Sequence, residues 1–300
     1  MRPQPPGGDD GGMSREKAAV AGMPVDTARV TRPRTGFRYL DAGYEQPGAV
    51  VAMAHRGGAY HPGLEGLENT LTAFRHAVDL GYRYLETDVH ATRDGTLLAF
   101  HDAVLDRVTE HRGQVERLTY AEVAEALIGG REQIPTMASL LEEFPETCFN
   151  IDLKADGAVE PLAALVESAQ AHDRVCVGSF SQRRIVRFRR LVGPRVATAS
   201  GPAGVVAFRL LPHARLVRLL ARPSGAVLQV PHRRPGITVV TPGFVRRAHA
   251  LGKHVHVWTV DDPAEMHHLL DLGVDGLITD RTDLLREVLV ARGQWMGAPR

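Results

Sequence analysis

Cysteine is scarce: the 300-residue chain has two, Cys148 and Cys176. Two thiols inside apolar, strand-like runs exclude a zinc-binding framework and a disulfide scaffold, and read as buried thiols of a reducing compartment. Long apolar runs are missing as well. No stretch reaches the ~18 continuous apolar residues of a membrane span, and the N-terminal MRPQPPGGDDGG lacks a basic start followed by an apolar run. A cytoplasmic protein is expected. Net charge is nearly absent: 36 basic and 35 acidic residues leave +1, and with both signs read as spread along the chain there is no global electrostatic case for a nucleic-acid partner.

What is present is enough apolar material, 44% of the residues, for a large core of two small domains or one α/β barrel. Residues 1–36, rich in Pro, Gly and charge without a sustained period, read as a disordered leader. The ordered domain is expected over 37–290, with a tail at 291–300. Within it, eight short β-branched runs alternate with longer helical patterns. The runs are 50–55, 84–90, 148–154, 175–179, 195–199, 226–230, 254–260 and 275–279; the helical patterns include one continuous helix over 203–220. Eight such alternations predict a parallel sheet closed as a (β/α)8 barrel, the TIM barrel, in preference to an open doubly wound sheet. Asp79-Leu80-Gly81, Leu251-Gly252 and Asp271-Leu272-Gly273 echo one another as helix ends with a left-handed glycine.

In a barrel of this kind chemistry belongs at the C-terminal ends of the strands. Glu86 and Asp88 lie two apart in an apolar run, so both leave one face, and buried carboxylates there call for a cation. A turn at Arg93-Asp94-Gly95-Thr96 pairing Thr92 with Thr96 brings His101 across from about residue 87. His55 ends an earlier strand and could complete the group. On the third strand Asp152 and Lys154 share the inward face, which makes Asp152 a third carboxylate. An all-oxygen set suits Mg²⁺ or Ca²⁺ better than Zn²⁺. Three carboxylates and one divalent cation leave about one negative charge, a phosphodiester adds another, and Arg56 and Lys154 could balance both. His55 and His101, titrating near neutrality, are the candidate acid and base. His90 shares the face of Glu86 and Asp88 and is a candidate for the outer part of the site. The remaining histidines, including His76, His249, His254 and His267, read as structural.

These residues resemble the glycerophosphodiester phosphodiesterase family in His55-Arg56-Gly57, Glu68-Asn69-Thr70, Glu86-Thr87-Asp88 and His101-Asp102. The likeness extends to Asp152 and Lys154, Ser179-Phe180, Val257-Trp258-Thr259-Val260 and Asp275 to Asp280, roughly residues 50 to 285 in all. It implies a TIM barrel with a short insertion after the second-strand hairpin, here about 104–134, acting as a lid or specificity element. It also implies that Glu86, Asp88 and Asp152 hold the metal, Arg56 and Lys154 the phosphate, and that His55 and His101 are acid and base. Two departures stand out: Asp152 where the family often has Glu, a reach shorter by one methylene, and Leu67 where the family usually has Pro, a local loop change.

Trp258 is expected to line the pocket wall or to serve as a barrel-core side chain. Glu68 either joins the metal's outer shell or caps a helix beginning at Asn69. The implied reaction is metal-dependent hydrolysis of a glycerophosphodiester to glycerol 3-phosphate and an alcohol. A lysophospholipase D-type activity on membrane lysophospholipids is the alternative, since residues 205–223 mix apolar side chains with Arg209, Arg215, Arg218 and Arg222 as an interfacial helix touching a membrane would. A non-catalytic barrel that binds a phosphate ligand is a third reading.

Overall fold

The computed structural model describes residues 32–42, 48–221 and 225–297, and all that follows concerns these. Eight parallel strands form the barrel: β1 Val51–His55, β2 Tyr84–Ala91, β3 Cys148–Leu153, β4 Val175–Gly178, β5 Ala197–Thr198, β6 Val227–Pro231, β7 His254–Trp258 and β8 Gly276–Thr279. Each pairs with its sequence neighbours, and β1 pairs with β8. Closure comes where β5 meets β6, through the Ala199–Val227 bridge and the Ser200 N–H donating to the Val227 carbonyl at 2.8 Å. The sheet is therefore a barrel and not the open, doubly wound alternative.

Alternation along the strands explains the two apolar layers. On β1, Val51 and Met53 point into the barrel while Ala52 and Ala54 meet the surrounding helices. On β2 the inward Tyr84 alternates with outward Leu85 and Val89. Inward positions change character up the barrel: Val51, Met53 and Tyr84 give way to His55, Glu86 and Asp88. On β1 and β2 the strand bottoms are thus apolar, and the strand tops hold charge.

The helices covering the outside begin with side chains that satisfy their unpaired N–H groups. Thr70 caps α1 (Leu71–Asp79), Thr136 caps α2 (Met137–Glu143) and Thr241 caps the helix Pro242–Ala250, each accepting from the backbone three residues on. The three glycines at Gly81, Gly252 and Gly273 have φ of 96°, 68° and 83°, the left-handed ends expected from the sequence.

Three boundaries differ from the sequence reading. The leader expected over 1–36 lies outside the described residues up to 31, but 32–36 lie on the barrel: the Pro33 carbonyl is 2.8 Å from His254 Nε2, and Thr35 bonds Asp41. The short helix Arg38–Asp41 then buries Tyr39 and Leu40 across the strand bottoms, with Tyr84 Oη donating to the Tyr39 carbonyl at 2.9 Å. Burying those two side chains contributes about 3–6 kcal/mol. At the other end Trp295 packs edge-on against Tyr82, so residues up to 297 belong to the same body.

The continuous helix expected over 203–220 is two helices, Pro202–Leu210 and Ala214–Ala221, separated at Leu211-Pro212-His213. Pro212 lacks the N–H that continuation would need. Arg222 and Pro223 lie outside the described residues.

The hairpin register holds: Val89 pairs with Ala99 and the Thr92 N–H donates to the Thr96 carbonyl at 2.9 Å, which places His101 opposite residue 87. After the hairpin, the segment 104–134 folds on itself around Leu105, Val115, Val123, Ala126 and Ile128, packed on Leu98 and Phe100 of the hairpin. Cys176 is buried, Cys148 only partly so, and both are free thiols.

Candidate active site

A cavity of about 740 Å³ opens at the C-terminal ends of the strands. Its lining includes His55, Arg56, Glu86, Asp88, His101, Asp152, Lys154 and Trp258. Seven polar candidates and the tryptophan therefore share one chamber.

The turn after β1 sets the first of them. Arg56 has φ of 49°, and Gly57 and Gly58 have φ of 87° and 90°. A Cβ on Gly57 would lie 2.6 Å from Ala73 Cβ, and one on Gly58 2.6 Å from Thr282 Cγ2. Only glycine lets the backbone pass between the two helices and return the Arg56 side chain to the cavity. His55 Nδ1 lies 2.8 Å from Asp280 Oδ1, and because a carboxylate only accepts, Nδ1 carries the proton and Nε2 is left for the cavity. Burial disfavours the imidazolium, but Glu86 and Asp280 outweigh it and hold the His55 pKa above its usual value.

The carboxylates are held unequally. Lys154 Nζ is 2.9 Å from Asp88 Oδ1 and 2.7 Å from Asp152 Oδ2, while Arg56 Nε is 3.0 Å from Asp88 Oδ2. Burial raises the Asp88 pKa, yet these two cations outweigh it and the net direction is downward. Glu86 is buried too, with His55 Nε2 3.7 Å away and the Arg56 backbone N–H donating to its Oε2 at 3.3 Å. Burial, with the like charge of Asp88, pushes its carboxyl up to about 7.

Among the described residues no three His, Cys, Asp or Glu side chains close on a common point; the Lys154 ammonium lies between Asp88 and Asp152. The donor set nevertheless fits a hard divalent cation: three carboxylates face one chamber, and the buried Glu86 lacks the neutralising partner that Asp88 has.

His101 is fixed from both sides. Its Nδ1 lies 2.6 Å from Asp102 Oδ1, and its carbonyl accepts from His90 Nε2 at 3.1 Å. His90 does not line the cavity and supports the backbone of His101. Glu68 is not the helix cap, because the helix begins at Leu71 and Thr70 caps it. It instead receives Arg56 at 3.1 Å and both Arg107 terminal nitrogens at 2.9 and 2.6 Å. Arg107 Nε also donates to Asp102 Oδ2 at 2.6 Å. One arginine of the insertion thus joins the loop after β1 to the residue that holds His101. Leu67, where the family usually has proline, is buried with Leu64 and Ala73 and packs this loop.

Asp280, Arg107, and the Gln229–Asn150 pair (2.7 Å) were not singled out by the sequence reading. Asp280 ends a strand in the position His55 occupies on β1, which is a signal. Arg107 sits in an irregular insertion where spacing carries no orientation. Trp258 lines the cavity with its ring edge-on to Phe180 at 5.8 Å, and also packs on the barrel-core side chains.

The sequence pattern of the glycerophosphoryl diester phosphodiesterase family matches residues 55–284. The chain belongs to that family. It is an enzyme, a phosphoric diester hydrolase acting on glycerophosphodiesters. A "Probable glycerophosphodiester phosphodiesterase 2" of Mycobacterium tuberculosis is 44% identical over 263 residues, 84% of this chain and 95% of the relative. A lysophospholipase D of Rattus norvegicus is 27% identical over 277 residues, 79% of this chain and 85% of the relative. A crystal structure from Silicibacter pomeroyi DSS-3, bearing the family's name, superposes with a TM-score of 0.73 at 25% identity and covers 86% of this chain and 99% of its own.

Proposed function

We propose that the chain cleaves a glycerophosphodiester to glycerol 3-phosphate and an alcohol by acid–base chemistry at His55 and His101 with the help of one divalent cation, Mg²⁺ or Ca²⁺. The observation that carries this reading is the pairing of each cavity imidazole with its own carboxylate, His55 with Asp280 and His101 with Asp102, beside a bank of carboxylates and cations. With Nδ1 tied in both rings, each presents Nε2 to the chamber, so one can accept the nucleophile's proton while the other returns a proton to the leaving alkoxide. Arg56 and Lys154 would hold the phosphoryl oxygens and stabilise the negative charge that grows on them. Glu86, Asp88 and Asp152 would hold the cation, which when bound supplies Lewis-acid polarisation of a phosphoryl oxygen.

The test is turnover of a panel of glycerophosphodiesters with Mg²⁺ and Ca²⁺ supplied separately after chelation. Hydrolysis lost with the chelator and restored by one ion supports the assignment; full turnover in the chelated enzyme defeats the metal part of it. Turnover also excludes the non-catalytic barrel.

A second substrate class has its own support. Phe180, Val205, Val206, Leu210, Ile237 and Val239 line the same cavity as the charged side chains. An alcohol that carries an apolar chain would be sheltered there, and the lysophospholipase D relative fits that reading. Lysophospholipids belong in the same panel.

A further inference from the structure

The near-zero net charge hides a strong segregation. Between Asp173 and Asp261 the chain has no acidic residue, and those 87 residues, 174–260, contain 16 Arg and Lys. The two signs are therefore not spread along the chain, as the overall count had implied. This stretch supplies β4 to β7, four neighbouring staves of the barrel, so the basic residues lie on one arc of the molecule.

Part of that charge is answered. Arg184 and Arg187 reach back to Asp156 and Glu160 of the preceding unit. At the mouth of the cavity the situation differs. Arg209, Arg233 and Arg234 have no acidic partner among the described residues. Arg233 and Arg234 form a two-residue strand paired with Ile237 and Thr238, and Arg209 Nε donates to the Thr238 carbonyl at 2.9 Å. The helix Pro202–Leu210 and this small hairpin are thereby joined into one rim.

The same rim exposes large apolar side chains. Phe180 is 59% exposed, Val206 54%, Leu210 70% and Ile237 52%, and all four also line the cavity. Single exposed apolar residues are ordinary, but four around one opening form a patch. Apolar side chains framed by arginines without acidic partners match a lipid interface, where the former enter the headgroup–acyl boundary and the latter meet anionic headgroups.

We propose that this rim docks on an anionic lipid surface, placing the cavity mouth against the headgroups so that a single-chain glycerophospholipid enters from the bilayer. The docking stands on the rim alone; the entry of such a lipid rests on the reaction proposed above. A nucleic-acid backbone would satisfy the arginines but leave aliphatic Val206, Leu210 and Ile237 with nothing to bury against. The surface differs from the single interfacial helix expected from the sequence, because the chain breaks at Pro212 and the hairpin supplies half of the rim.

The experiment is sedimentation of the full chain with vesicles of phosphatidylcholine alone or with about one-third phosphatidylglycerol, at low and at high salt. Binding to the anionic vesicles that falls with salt, and little binding to the neutral ones, is the expected result. Arg233→Glu, outside the cavity lining, should weaken that binding at least about fivefold while leaving hydrolysis of a soluble diester intact, and Leu210→Glu should weaken it further. Circular dichroism of both variants verifies that they remain folded. Equal binding to both vesicle types, binding to neither, or binding to an oligonucleotide but not to vesicles overturns the proposal. Soluble-diester turnover without vesicle binding sinks the docking alone, and salt-sensitive vesicle binding without turnover sinks the reaction and leaves the docking standing.

Discussion

His55 and Asp280 stand 225 residues apart in sequence and 2.8 Å apart in space, joined because β1 and β8 are the first and last staves of the closed barrel. The carboxylate decides which imidazole nitrogen is left for the cavity. Asp280→Asn can rotate to present its NH₂ to Nδ1 and so favour the tautomer whose Nε2 carries the proton. We expect turnover to fall ~10²-fold, against ~10² to 10⁴-fold for His55→Ala, with little change in substrate affinity. Steady-state kcat and KM on a soluble diester check this; near-normal kcat in either variant refutes the role of His55.

Arg107 bridges Glu68 and Asp102, and through Asp102 it reaches His101. It is not among the residues that line the cavity, so its effect is on position. Arg107→Gln should lower kcat about tenfold, and Arg107→Lys should recover only part of it, because the ammonium cannot contact two carboxylates as a planar fork does. Equal activity in the wild type and the Gln variant would show that the insertion does not govern His101.

Gly57→Ala and Gly58→Ala test the turn after β1. Each places a methyl group within 2.6 Å of an existing side-chain carbon at a φ near 90°. Destabilisation of about 2 kcal/mol or more is expected for each, measured by urea denaturation. A cost under about 0.5 kcal/mol, the size of an ordinary surface change, would mean the turn has another conformation.

Acid sensitivity should come from the lower half of the barrel. His256 is fully buried, with neither ring nitrogen bonded among the described residues, and burial together with the neighbouring His254 lowers its pKa to about 3. The unfolded chain binds this proton below about 6.5 and the folded chain does not, so stability is complete above about pH 6.5 and falls as pH drops toward 3. The slope from this one group approaches about 1.4 kcal/mol per pH unit. Denaturation midpoints of wild type and His256→Asn between pH 7 and 4 give the comparison. The variant starts lower because of lost packing, but its acid slope should be shallower; parallel slopes would contradict the buried neutral histidine.

How far the sequence could be read depended on the range of the forces involved. Strand positions, inward and outward faces, and the hairpin register follow from period-two patterning and one turn, which are local. That is why Glu86, Asp88, Asp152, Lys154 and His101 could be placed on one face before any coordinates. Of the two roles open for Glu68 the structure removes the helix cap, which Thr70 supplies, and only the third dimension brings Arg56 and Arg107 to its carboxylate. Apolar periodicity runs on either side of Pro212, so the local pattern predicts one helix over 203–220 where two form.

By itself the sequence determined the eight-fold alternation, the family, and the chemical types gathered at the strand ends, because residue order dictates which way each side chain of a strand points. Only the tertiary structure decided the partners. Barrel closure joined His55 to Asp280, the folded insertion sent Arg107 to Glu68 and Asp102, and the pairing of a helix with a distant hairpin assembled the basic, apolar rim. Each of those is a contact across many residues, set by how the staves close and how the loops pack, and no local pattern encodes it.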